Sequence, residues 1–116
     1  MKELKSYNIQ IWCGLRNGYG DEFHNIDDAR QICKEYVGKV KDCVTITPTE
    51  YVYVDGEEPG VVVGMISYPR FKRSRKELEK RAFMLAHMLM RGLDQFRVTI
   101  VTPKKSYMLE NDKKNG

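Results

Sequence analysis

Two stretches of this chain carry residue types able to do chemistry. The first is Gly14-Leu15-Arg16-Asn17-Gly18-Tyr19-Gly20. Its glycines let the backbone turn sharply or approach a ligand closely. Their N–H groups can face an anion, and Arg16 adds a positive charge. The stretch lacks the Gly-Lys-Ser/Thr of a P-loop and the Gly-x-Gly-x-x-Gly of a dinucleotide site. The second stretch is Arg70-Phe71-Lys72-Arg73, continued by Arg75, Lys76, Lys80 and Arg81. Arginine offers a planar fork to phosphate or carboxylate, and Phe71 a ring on which a base can stack. A solvated helix face, partly paired with Glu77 and Glu79, is the plainer reading of the same charges. Arg16, Asn17, Gly18, Tyr19, Arg70, Lys72 and Arg73 are therefore the candidate ligand-binding residues.

The other reactive side chains form no pattern. Cys13, Cys33 and Cys43 make no C-x-x-C, and His24 and His87 lie far apart. No ligand set has the spacing of a zinc site, so neither metal nor cofactor is expected. No Ser-His-Asp set, paired carboxylates or kinase motif is legible, and no catalytic residue is assigned. An enzyme reading has only His24 as a loop acid–base candidate.

Elements must position these residues. Tyr7-Asn8-Ile9-Gln10-Ile11-Trp12-Cys13 alternates with the period of a strand. Tyr7, Ile9, Ile11 and Cys13 share one face, and Asn8, Gln10 and Trp12 the other. A helix is predicted from 27 to about 37. Asn25 or Asp27 can cap it, Ala29, Ile32, Cys33, Tyr36 and Val37 make its apolar face, and Gly38 closes it. The stretch 44–68 reads as two strands joined by the turn residues Asp55-Gly56-Glu57-Glu58-Pro59-Gly60. Ser74 and Glu77 then match a capping box for a second helix ending near Arg91. Leu78, Ala82, Leu85, Ala86 and Leu89 line its buried face. Phe96 to Thr102 is the last predicted strand, stopped by Pro103.

The order βαββαβ is the split-βαβ, ferredoxin-like arrangement, an α+β fold. It predicts a four-stranded antiparallel sheet with both helices on one face. The expectation is one domain over 1–109, followed by a charged, frayed tail over 110–116. With 116 residues and 31% charged content, the chain fits a globular domain. No apolar run is long enough to span a bilayer, and the first residues lack a signal peptide's apolar core. An odd cysteine count favours reduced thiols and a cytoplasmic location. The net charge of +4 permits an anionic ligand without demanding one. On the sheet face without helices, Trp12 and alternate hairpin residues would lie uncovered. That suggests a homo-oligomer.

Lys41-Asp42-Cys43-Val44-Thr45-Ile46-Thr47-Pro48, followed by Tyr51-Val52-Tyr53-Val54-Asp55-Gly56, resembles the middle of the CutA proteins. That family has a Cys-Val-Asn-Ile-Ile-Pro-like strand, an aromatic strand and an acidic-Gly turn between two helices. The likeness follows element order over 9–103. It departs where the family's tryptophan is replaced by Tyr53 or Val54, and where Asp94-Gln95-Phe96-Arg97 precedes the last strand. CutA shares its trimeric architecture with the PII signalling proteins. The resemblance implies a homotrimer that binds a small anionic ligand, such as a nucleotide or nucleotide-derived signal, without catalysis. Two other classes stand beside it: a nucleic-acid-binding module using aromatics on the sheet face, and a small dimeric ferredoxin-like enzyme.

Overall fold

Alternation along the strands builds the core. In this computed structural model, which describes residues 1, 3, 6–18, 20–66 and 73–111, the elements are β1 (Asn8–Gly14), α1 (Ile26–Val40), β2 (Thr45–Tyr53), β3 (Gly56–Ile66), α2 (Arg75–Gly92), β4 (Arg97–Val101) and β5 (Ser106–Glu110). Ile9, Ile11 and Cys13 of β1 are fully buried, with Val61, Val63 and Met65 of β3 and Val98 and Ile100 of β4. They pack under Ala29, Cys33 and Tyr36 of α1 and under Leu78, Ala82, Leu85, Ala86 and Leu89 of α2. Both helices thus cover one face, as the periodicity predicts.

The sheet has five antiparallel strands in the order β2-β3-β1-β4-β5, not four. The additional strand, β5, folds back on β4 and sets Tyr107 and Leu109 against the core. Thr102 makes this reversal. Its hydroxyl donates to the Lys105 carbonyl and accepts from the Lys104 and Lys105 N–H groups. Glu110, the first residue of the expected tail, pairs with Arg97, and residues 112–116 lie outside the described residues.

Helix ends show which local signals operate. Asn25 and Asp28 form the reciprocal capping box on α1. Ser74 caps α2 by accepting from the Glu77 N–H, while the Glu77 carboxylate goes to Arg81 Nε at 2.8 Å. Gly38 does not end α1. The helix continues to Val40 and stops at Lys41, which takes a left-handed φ of 55°. The hairpin turn is also tighter than its composition suggests: β2 and β3 are separated only by Val54 and Asp55. Glu57, Glu58 and Pro59 therefore belong to β3, opposite Val52, Tyr51 and Glu50. Pro48 is tolerated because β2 is an edge strand.

The hairpin reverses the second half of the chain relative to the first. β1 and β3 run antiparallel, so the connections that follow them leave opposite ends of the sheet. Arg16, just after β1, and Arg73, just before α2, are therefore not neighbours.

Candidate functional site

The glycine-rich loop is folded onto the protein. The N–H groups of Asn17, Gly18 and Gly20 donate to the carbonyls of Glu22, Asp94 and Asn17. Gly18 adopts φ +57°, which glycine takes at no steric cost. His24 pins the loop, with Nδ1 3.2 Å from Asp28 and Nε2 2.9 Å from Asp94. These donors are directed to carbonyls of the protein itself. Tyr19, Arg70 and Lys72 lie outside the described residues.

Arg73 sits at the other end of the sheet. One of its terminal nitrogens donates to the Lys41 carbonyl and lies 3.4 Å from Asp42. Arg81 donates to the Val40 carbonyl and approaches the same carboxylate at 3.7 Å. These two cations meet the carbonyl end of α1, where positive charge is favoured. Of the rest of the basic stretch, Arg75 and Lys76 instead face Lys104 and Lys105 across a small hollow of about 260 Å³.

The larger pocket, about 490 Å³, opens on the sheet face that no helix covers. Its floor follows from strand period and register. Trp12 of β1 pairs with Thr99 of β4, and Arg97 and Val101 share that side. Tyr51 and Glu58 stand opposite one another on β2 and β3 and form the far wall. Gly14 and Gln95 line the end where β1 finishes.

Two glycines admit the larger groups. A side chain on Gly60 would collide with the Tyr51 ring and with the Cys13 carbonyl, so glycine there lets the ring lie against the sheet. Tyr51 then meets Trp12 edge to face, with ring centroids 6.4 Å apart. Gly14 leaves room for the Gln95 amide in the same way; a Cβ there would stand 2.8 Å from Gln95 Oε1.

The polar groups are held in defined states. The Gln95 amide nitrogen donates to the Arg16 carbonyl at 2.6 Å and to the Leu93 carbonyl at 2.8 Å. That fixes the amide orientation and presents its oxygen, an acceptor, beside Gly14. Burial, then the neighbouring Cys13 and Glu58, pushes the Tyr51 phenol up to about 12. It is a neutral donor at physiological pH. Trp12 Nε1 donates to Gln10 Oε1. Glu58 is 27% exposed, and the Arg16 guanidinium approaches it at 3.7 Å.

This arrangement suits a flat ring system joined to a cation. Trp12 and Tyr51 offer aromatic faces, Glu58 a carboxylate, and Arg97 a guanidinium for an anionic group. No histidine or cysteine lines the pocket; Cys13 points to the core, where burial pushes its thiol up to about 12. Among the described residues, no group of three or more His, Cys, Asp or Glu is arranged to hold a metal. No described helix is long and apolar enough to cross a membrane.

Of these pocket residues, the sequence pattern singled out only Trp12, Tyr51 and the glycine loop's Gly14. Glu58 was hidden in a presumed turn and Gln95 in a presumed connection, while Arg97 lay in the last predicted strand with nothing to mark it. The legible signal was Glu58 two residues before Gly60, on the side where a strand would put it opposite Tyr51.

No protein-family pattern and no curated protein sequence matches this chain. Its fold does match solved structures of a phage SAM lyase. One is the complex with S-methyl-5'-thioadenosine, at TM-score 0.78 and 14% identity, covering 97% of this chain and 96% of that one. The other is the apo state, at TM-score 0.78 and 15% identity with the same coverage. This full-length likeness overturns the resemblance to CutA and PII, which rested on a short β-rich segment that proves to be an edge strand. The non-catalytic, PII-like anion-binding role fell with it, since the resemblance was its support. The fold is one on which a lyase is built.

Proposed function

We propose that this chain is an S-adenosylmethionine-cleaving enzyme whose substrate occupies the pocket of Trp12, Tyr51, Glu58, Gln95 and Arg97. Of the three classes legible in the sequence, this is the small ferredoxin-like enzyme. The observation that carries it is a carboxylate, Glu58, set beside the Trp12–Tyr51 aromatic pair in a pocket of about 490 Å³. A volume in that range holds a molecule of nucleoside size. A sulfonium is a cation with apolar substituents, and a carboxylate flanked by aromatic rings recognises it. The aromatic pair also gives the adenine a stacking surface. Gln95 Oε1 accepts from an adenine amine or a ribose hydroxyl. Arg97 pairs with the amino acid carboxylate.

The chemistry follows from the molecule bound in the similar lyase, taken as the product. S-methyl-5'-thioadenosine keeps both the methyl and the adenosyl group, so the bond that breaks joins sulfur to the four-carbon amino acid chain. Its electron pair leaves with sulfur, and the cation becomes a neutral thioether. A lyase uses no water. The chain carbon is therefore satisfied from within the substrate, by ring closure of its own carboxylate or by loss of a neighbouring proton. Arg97 orients the carboxylate for the first route, and Glu58 is the carboxylate among the described lining residues for the second. The residues contribute positioning and exclusion of water.

The pocket is open on one side, and Met108, opposite Thr99 on that face, is an exposed apolar residue. A homo-oligomer would cover this face. Three cysteines outside any disulfide fit the reducing cytoplasm in which such a substrate is made. The test is direct: incubate the purified protein with S-adenosylmethionine and separate the products by chromatography. Appearance of S-methyl-5'-thioadenosine, reduced at low substrate concentration in Glu58→Gln, supports the reading, and the second product distinguishes ring closure from elimination. Absence of the thioether product overturns it. Light scattering that shows a monomer at about 50 μM, an ordinary assay concentration, would remove the oligomer.

A further inference from the structure

Arg16 lies outside the pocket lining yet is built into its support. Its carbonyl accepts from the Gln95 amide at 2.6 Å, and its Nε donates to the Gly20 carbonyl at 2.8 Å. Its backbone bridges to Phe23, and the preceding Leu15 N–H donates to the Pro59 carbonyl, next to Glu58. The guanidinium is thereby delivered to Glu58, at 3.7 Å, with both side chains partly exposed. At that distance and exposure the pair is weak enough for another cation to compete with it.

We propose that Arg16 is a positioning residue that yields Glu58 to the substrate's sulfonium and recovers it as the reaction removes that charge. The inference rests on the reading of the pocket as an S-adenosylmethionine site. Its logic is electrostatic. A carboxylate held against a sulfonium stabilises the bound substrate more than the transition state, because the positive charge is disappearing there. Glu58 alone would therefore tighten binding and slow the chemical step. A second cation within reach reverses part of this. As the sulfur becomes neutral, the Arg16–Glu58 attraction grows, and filling of the pocket strengthens it by excluding water. Arg16 thus weakens substrate binding and favours the transition state.

The prediction for Arg16→Gln is a fall in both KM and kcat, each by about fivefold, with kcat/KM nearly unchanged. Arg16→Lys, which keeps the charge, restores most of kcat. A merely structural role would lower kcat/KM and the melting temperature together. A rise in KM at constant kcat would mean that Arg16 binds the substrate's anionic group, and would overturn the inference. No change in either constant would overturn it too.

A binding measurement separates this inference from the reading beneath it. Trp12 is the chain's single tryptophan and lies in the pocket, so its fluorescence reports occupancy. S-adenosylmethionine should bind Arg16→Gln more tightly than wild type, and S-methyl-5'-thioadenosine less tightly, because the neutral thioether would cover an uncompensated Glu58. Wild-type protein that binds and cleaves the sulfonium while the variant shows unchanged affinities overturns the Arg16 role alone. Wild-type protein that neither binds nor cleaves it overturns both.

Discussion

Two carboxylates at opposite ends of the sheet show how differently one fold can hold the same charge. Asp42 is saturated. Its side chain is 7% exposed, accepts the Tyr36 hydroxyl at 2.6 Å and the Cys43 N–H at 2.8 Å, and faces Arg73 and Arg81. Glu58 has one long contact to Arg16 and borders a pocket. The saturated group ties α1, α2 and the β2 approach together. The under-committed group is available to a ligand. Charge density alone misleads here: the densest basic stretch supplies Arg73 and Arg81 to the closed cluster, and the open carboxylate lies in an inconspicuous acidic pair.

Asp42→Ala should produce the largest effect, a loss of about 3 kcal/mol, because it removes the buried carboxylate that two cations and the Tyr36 hydroxyl share. Urea denaturation measures it, and a change below about 0.5 kcal/mol, the range of an ordinary surface substitution, would erase the distinction. Glu58→Gln should leave that denaturation midpoint almost unmoved. It should raise KM for S-adenosylmethionine and lower kcat/KM for S-methyl-5'-thioadenosine formation by about 100-fold, the scale of losing a charged contact to the substrate. Equal damage to stability and activity would place Glu58 with Asp42 as a structural group.

Gly60→Ala sharpens the comparison without altering any charge. The added methyl displaces the Tyr51 ring, at a cost of about 1–2 kcal/mol, and activity falls while the Asp42 cluster keeps its contacts. Circular dichroism and product release, measured together, check this; full activity would show that the ring's position is unimportant.

Alkaline pH gives a gentler probe. Burial pushes Cys13 and Tyr51 up to about 12 and Cys33 up to about 11, from ordinary values of 9.0 for the thiols and 10.0 for the phenol. Below pH 9 the folded and unfolded chains both keep these protons, and the contribution to stability is whole. As pH rises toward 12 the unfolded chain releases them first, and stability declines. Denaturation midpoints taken between pH 8 and about 11 should fall progressively. The smallest effect is chemical: Cys43 is exposed, so a thiol reagent should modify one cysteine rapidly in the native protein and all three only after unfolding.

By itself the sequence determined the elements whose signals are local. Strand alternation at 7–13, the apolar faces of both helices, the Ser74 cap and the order of the first six elements are all short-range patterns, and each is present in the folded chain. β5 escaped notice because Lys104 and Lys105 precede it and only Tyr107 and Leu109 carry its inward face. The tertiary structure alone decided the site. Gln95 meets Arg16 across 79 positions, and Glu58 meets Tyr51 only because the turn between their strands takes two residues rather than six. A one-residue difference in register sends a side chain to the other face. The separation of Arg16 from Arg73 has the same origin, since the hairpin fixes the direction of everything after it. Periodicity reports which face a residue prefers; register and strand direction, set by packing over long separations, report whom it meets.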